Sequence, residues 1–137
     1  MVREPAGDAR LTDLANKVPA IRTIVMPTEG NPYGVAFGGW LMGQMAQAGG
    51  ALAAKHSKHQ SVVVGANDLR FGHPVGIGDE LSVYAEFTKI GRSSMTVQVE
   101  AFRRDRHEDE MMKAASGIYI FVAVDGNGKP VQVPALD

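Results

Sequence analysis

The chain has 137 residues, of which 45% are apolar and 21% charged, and its formal net charge is -1. These values suit one globular domain, with an ordinary globular balance and not that of a disordered chain, and give no overall basic field for nucleic acid or anionic lipid. The absence of cysteine excludes disulfides, thiolate nucleophiles and cysteine-bound zinc together.

In chain order, residues 1–19 read as a lead segment, with a short helix at Leu11–Lys17 ended by Pro19. Its charged residues precede no apolar core of a secretory leader, so the expected compartment is the cytoplasm. Residues 20–137 form the single domain. A short strand, Ala20 to Met26, runs into Pro27, and the turn-rich segment Thr28 to Val35 follows. Gly30, Gly34, Gly38, Gly39, Gly43, Gly49 and Gly50 then crowd a stretch that carries no charge from Gly30 to Ala54.

Most of that stretch predicts a helix from about Gly38 to His56. Its apolar residues go nearly all the way round, which predicts burial on most faces. Phe37 to Ala54 reaches the ~18-residue length of a membrane span. Its glycines and glutamines favour instead a helix inside a domain, with no membrane partner. Small residues at Gly43, Ala46, Gly49, Gly50, Ala53 and Ala54 let a sheet approach closely.

After the helix the period changes to two. Ser61 to Phe71 reads as a strand with a bulge at Gly65; Leu81 to Thr88 and Met95 to Ala101 alternate apolar and polar residues. Gly91-Arg92-Ser93 joins the last two as a tight hairpin. Arg103 to Glu110 reads as a solvated loop, and Ala115 to Val124 as the most apolar strand. One helix cannot supply the crossovers of a parallel sheet, so an α+β fold follows: a long central helix wrapped by a curved antiparallel sheet. Its open edges predict a homodimer.

A glycine-rich turn feeding a helix start presents free N–H groups at the positive end of the helix dipole. Gly38 and Gly39 let a carbonyl approach that backbone, although the same glycines also suit plain helix–sheet packing.

The run Asn31-Pro32-Tyr33-Gly34-Val35-Ala36-Phe37-Gly38-Gly39-Trp40-Leu41-Met42-Gly43-Gln44-Met45 resembles the signature of hotdog-fold acyl-CoA thioesterases of the YciA-like group. Phe71, Pro74, Gly78-Asp79, Gly91-Arg92-Ser93-Ser94 and Phe121-Val122-Ala123-Val124-Asp125 continue the likeness over residues 20 to 134. The resemblance implies the hotdog fold, a homodimer assembling further as a trimer of dimers (a hexamer), and hydrolysis of acyl-CoA to CoA and a carboxylic acid. It implies water as nucleophile and no metal or cofactor, CoA being part of the substrate. It assigns carbonyl polarisation to the N–H groups of Gly38 and Gly39 and a positioning role to Asn31. CoA contacts fall to Arg92, Ser93 and Ser94, with Lys89 and Phe71 as further candidates.

One position departs from the family. Where these enzymes carry the acidic residue that activates water, this chain has Ala46, and no Asp or Glu lies between Glu29 and Asp68. Three explanations stand. The preferred one is an aspartate deliberately changed to alanine; the others are a natural non-catalytic acyl-CoA or CoA-binding homologue, and a base borrowed from elsewhere. Asp68, Asp79 and His73 are the borrowed-base candidates, read otherwise as a sheet-surface residue, a turn residue and a loop residue. His56, His59 and His107 read as surface or loop residues. Trp40 reads as core packing in preference to an acyl channel with Tyr33. Arg103, Arg104 and Arg106 are interleaved with acids and support no nucleic-acid partner.

Overall fold

The computed structural model describes residues 17–137, and the lead-segment helix expected at Leu11–Lys17 lies outside them but for its last residue. Strand β1 (Ile21–Ile24) leads through a 3-10 turn at Pro27–Glu29 to helix α1 (Gly38–Ser57). Four longer strands follow: β2 (Gln60–Phe71), β3 (Glu80–Ile90), β4 (Ser94–Arg104) and β5 (Met111–Val124). They form one antiparallel sheet in the order β1-β3-β4-β5-β2, with α1 packed on one face. This is the antiparallel sheet round one long helix expected from the element order, and it matches the hotdog fold that the resemblance implies.

Alternation decides which residues face the helix. Leu81 and Val83 of β3, Met95, Val97, Val99 and Ala101 of β4, and Tyr119, Phe121 and Ala123 of β5 are buried in one core with Leu41, Met45, Ala48 and Ala53 of the helix. The helix itself corrects the expectation of burial on most faces. Its buried residues Leu41, Met45, Ala48, Gly49, Ala53 and Ser57 form a single stripe, while Gly39, Gln47, Ala51 and Ala54 face outward. A single sheet layer can cover only one side of a helix, so the apolar outer side is mostly alanine and glycine. Among the described residues no helix is long and apolar enough to cross a membrane.

The glycines divide accordingly. A Cβ on Gly49 would sit 2.9 Å from the Phe121 ring and 3.4 Å from Val99, whereas Gly43 faces open space and is not a packing glycine. The close approach of helix and sheet therefore centres on Gly49 and Gly50, both of which meet the Phe121 ring of β5, Gly49 meeting Val99 of β4 as well.

Several boundaries shift for identifiable reasons. The irregularity expected at Gly65 lies between Val63 and Gly65, and a second separates Asn67 from Arg70, where Asp68 takes a left-handed φ of 52°. Arg103 and Arg104 belong to β4 and not to a solvated loop. Arg104 stands directly opposite Glu80 and bonds it through Nε and Nη2 at 3.2 Å each, while Arg103 pairs with Asp79. Cross-strand ion pairs of this kind extend the ladder beyond the apolar pattern. Strand β5 likewise begins at Met111, opposite Arg104, and not at Ala115.

In an open helix, Gly49→Ala would add about 0.5–1 kcal/mol of stability. Here an overpacking cost of about 1–3 kcal/mol against Phe121 outweighs it. Urea unfolding of the variant is expected to show a lower midpoint; a raised midpoint would contradict this packing.

Candidate active site

The helix start is built by a small loop. The backbone N–H of Phe37 donates to the Glu29 carbonyl at 2.8 Å, and Gly30 bridges Ala36, so residues 29–37 close on themselves. Inside the loop the Asn31 Oδ1 accepts the N–H groups of Tyr33 at 2.8 Å and Val35 at 3.3 Å. This is an Asx-type turn, with Gly34 at φ 83° closing it. The side-chain oxygen of Asn31 is thus used to shape the loop, which leaves its amide N–H groups for any reactant.

No side chain caps α1, and its first turn contains no acidic residue. The first hydrogen bond of α1 is Leu41 N–H to Phe37 C=O at 3.1 Å, so Gly38, Gly39 and Trp40 hold its first N–H groups, which have no intrahelical acceptor. Gly38 and Gly39 are exposed, and the Phe37 ring lies so close over Gly39 that a Cβ there would meet it at 2.6 Å. An exposed, uncapped helix start with two glycines is a site for an anion or a polarised carbonyl oxygen. Trp40 is half-buried against the core, as packing requires, and Tyr33 is 88% exposed.

Ala46 follows Gly39 by seven residues, which places it on the same helix face about 10 Å further along. It is half-buried against the core. Between the two, the Met42 carbonyl accepts a 3.0 Å hydrogen bond from the Tyr119 hydroxyl, whose ionisation burial pushes upward. Tyr119 therefore acts as a donor and not as a base. Asp68 lies exposed on strand β2, where its carboxylate is paired with Arg70 at 2.8 Å.

The expected CoA contacts lie elsewhere in the chain. Arg92 and Ser93 sit in the β3–β4 hairpin and Ser94 opens β4; the Arg92 carbonyl is bound by Val133 N–H at 2.7 Å and the Ser93 carbonyl by Ala123 N–H at 2.9 Å. Lys89, Arg92, Gln132 and Leu136 line a cavity of about 440 Å³ there. That hairpin belongs to the C-terminal end of α1, where His56 stacks obliquely on Phe87 at 5.1 Å and meets the Pro134 carbonyl at 2.7 Å. His56 is therefore a half-buried residue at the surface, packed on Phe87 and the C-terminal tail. The helix start lies at the other end of a 20-residue helix, about 30 Å away. Within one chain the structure does not bring Arg92, Ser93, Ser94 and Lys89 to Gly38 and Gly39. Phe71, 52% exposed, ends β2 on the helix-start side. A separate cavity of about 740 Å³ opens beside β3 between Leu52, Lys55, Tyr84 and Gln98, away from all these residues.

The sequence singled out Asp79 and His73 but not their surroundings. The Gly76–Asp79 turn touches the helix-start loop directly: Ala36 N–H donates to the Val75 carbonyl at 2.7 Å, and Val35 bridges Gly76. His73, beside that turn, has a buried Nδ1 with no hydrogen-bond partner among the described residues. Burial of the ring, then the Arg103 charge, hold its pKa below the usual imidazole value, with Asp79 opposing. Among the described residues no group of three or more His, Asp or Glu is placed to hold a metal ion.

The sequence profile of the thioesterase superfamily matches residues 33–110. An uncharacterized acyl-CoA thioester hydrolase of Zymomonas mobilis is 50% identical over 119 residues, covering 87% of this chain and 80% of that protein. The acyl-CoA thioester hydrolase YciA of Escherichia coli is 36% identical over 118 residues, covering 83% and 89%. Among solved structures, the hexameric broad-specificity acyl-coenzyme A thioesterase HI0827, crystallised as an aspartate-to-alanine mutant, superposes with a TM-score of 0.83 at 33% identity over 88% of each chain. The hexameric thioesterase y2039 of Yersinia pestis gives 0.82 at 34% identity, covering 88% and 98%.

Because the folded chain holds His73 neutral more readily than the unfolded chain does, stability is expected to fall as pH drops below about 6.5, the ordinary histidine value. The loss levels off once pH passes below the depressed folded value. Thermal melting between pH 8 and 5 should show this drop, and His73→Gln should flatten it. An identical drop in the variant would assign the effect to other groups.

Proposed function

The chain belongs to the thioesterase superfamily, and on that footing we propose that its site is built to hydrolyse acyl-CoA thioesters to CoA and a carboxylic acid. The observation that carries this reading is the uncapped helix start at Gly38–Gly39, held open by the Asn31 loop. A thioester oxygen accepting those N–H groups is polarised, and the same groups stabilise the oxyanion formed when water adds to the carbon. The attacking water gives up a proton, the tetrahedral intermediate expels the CoA thiolate, and the C–S bond breaks. No cofactor is called for.

A base for that proton belongs at position 46. An aspartate there would project from the helix face that bears Gly39, and alanine cannot take its place. We read Ala46 as the residue left when such an aspartate was replaced. Ala46 equally favours a second reading, in which the chain binds acyl-CoA or CoA without turnover.

The separation of helix start and hairpin by the whole length of the helix, about 30 Å, supports a site shared by two chains. Strand β2 is the free edge of the sheet opposite β1, with Val62, Val63 and Val64 36%, 51% and 59% exposed. It runs from the hairpin end to the helix-start end, so antiparallel pairing of two β2 edges sets one chain's hairpin beside the other's helix start. The proposed assembly is a homodimer on this edge, three of which make a hexamer like those of the solved relatives.

Ala46→Asp is expected to raise thiol release from short- and medium-chain acyl-CoA by about 10²–10⁴-fold, the usual worth of a general base, with CoA affinity unchanged. No gain, together with tight CoA binding by calorimetry, would favour the binding reading. In the same chain Arg92→Ala is expected to weaken CoA binding about tenfold through loss of a charge-assisted phosphate contact; unchanged affinity would remove Arg92 from the site.

A further inference from the structure

We propose that Asp79, through its ion pair with Arg103, is a positioning residue that sets the loop carrying Asn31 and thereby the Gly38–Gly39 helix start. The assignment rests on how many groups of Asp79 are committed. Its carboxylate Oδ2 accepts the Gly76 N–H at 2.7 Å and lies 3.2 Å from Arg103 Nε, with the Asp79 side chain 9% exposed. Its own N–H donates to the Gly76 carbonyl at 3.1 Å, and its carbonyl accepts the Val25 N–H at 3.0 Å. Gly78, at φ 95°, lets the chain turn between them and returns its N–H to the Val25 carbonyl at 2.8 Å.

This turn supports the helix-start loop at both of its ends. Val75 and Gly76 hold Ala36 and Val35 on one side. On the other, the Ile77 side chain packs on Gly30 so closely that a Cβ there would meet it at 2.8 Å. Only Phe37 separates Ala36 from Gly38, and no side chain caps the helix, so the placement of the first helical N–H groups follows the placement of this loop. Arg103 supplies the fixed point. It lies in β4 opposite Leu81, which is fully buried, and its side chain is 19% exposed. Its guanidinium thus reaches from the sheet to the turn, and the turn reaches to the loop. A carbonyl-polarising site tolerates little misplacement, since a shift of about 1 Å can cost on the order of 10² in rate.

Amide exchange on the full chain tests the mechanical claim without relying on turnover. Asp79→Ala is expected to speed exchange in peptides covering residues 29–42 by about tenfold or more, through a local opening, while peptides of residues 95–102 stay unchanged. Asp79→Asn, which keeps an acceptor for Gly76 but loses the charge facing Arg103, should fall between the two and guards against a misfolded alanine variant. Exchange that rises equally everywhere, or not at all in residues 29–42, would overturn the proposal. The kinetic claim rests on the hydrolase reading and is tested in chains also carrying Ala46→Asp. There Asp79→Asn is expected to lower kcat by about 10–100-fold and leave KM within about threefold, because the CoA grip is remote from the turn. A rise in KM with kcat unchanged would contradict positioning. Localised exchange in chains that show no turnover even with Ala46→Asp would support the mechanical role and overturn the hydrolase reading.

Discussion

Everything in this molecule follows from how one long helix is seated on one sheet. The Gly49–Phe121 contact lets α1 lie close enough for Met45, Ala48 and Ala53 to be sealed against β4 and β5. Twenty residues of helix then span the sheet from end to end. The uncapped helix start is fixed at one end, beside the Gly76–Asp79 turn. The β3–β4 hairpin is fixed at the other, beside His56 and the C-terminal tail. A reaction that needs both ends therefore needs two chains, and the exposed valines of β2 mark the edge where a second chain fits the geometry.

One cluster of paired charges lies close to the helix start. The three arginines Arg22, Arg103 and Arg104 meet Asp79 and Glu80 where β1, β3 and β4 come together, just beneath the helix-start loop. The side-chain bond from Arg104 holds the Glu80 carboxyl below the usual carboxylate range. Breaking one member of such a partly buried set leaves the other charge without compensation, which makes the set a stiff anchor and not merely a source of stability. The first turn of the helix above it contains no acidic residue, so no side chain within that turn quenches its N–H dipoles.

The sequence made the elements legible where apolar periodicity was strong. The alternation of Leu81, Val83, Ala85 and Phe87, and that of Met95, Val97, Val99 and Ala101, places two strands and their hairpin within a few residues of where they lie. It misjudged the strand ends at Arg103, Arg104 and Met111, because their reason to stay in the sheet is a partner on another strand. Helix burial was overestimated for a related reason: Ala51 and Ala54 are apolar by composition, yet a single sheet leaves them outside. The helix-start loop could be found from Asn31, Gly38 and Gly39 because local turn chemistry needs those residue types. The support that Asp79 gives to that loop could not, since it depends on the register that brings β4 past the turn. The placement of Arg92 at the opposite end of the helix from Gly38, about 30 Å of helix away, was equally hidden, for spacing along the chain says nothing about which end of a sheet a hairpin occupies.

The central claim, a site made of one chain's helix start and another's hairpin, is tested most directly by mixing two defective chains. Gly39→Val displaces Phe37 from the helix start, and Arg92→Glu places a like charge beside the CoA phosphates. Each variant alone should lose binding of a short-chain acyl-CoA in calorimetry. Mixed dimers, purified with two different tags, should regain one binding site per dimer, because one helix start and the opposite hairpin are both intact. Failure of the mixed dimer to bind, when its parents assemble normally, would contradict a shared site.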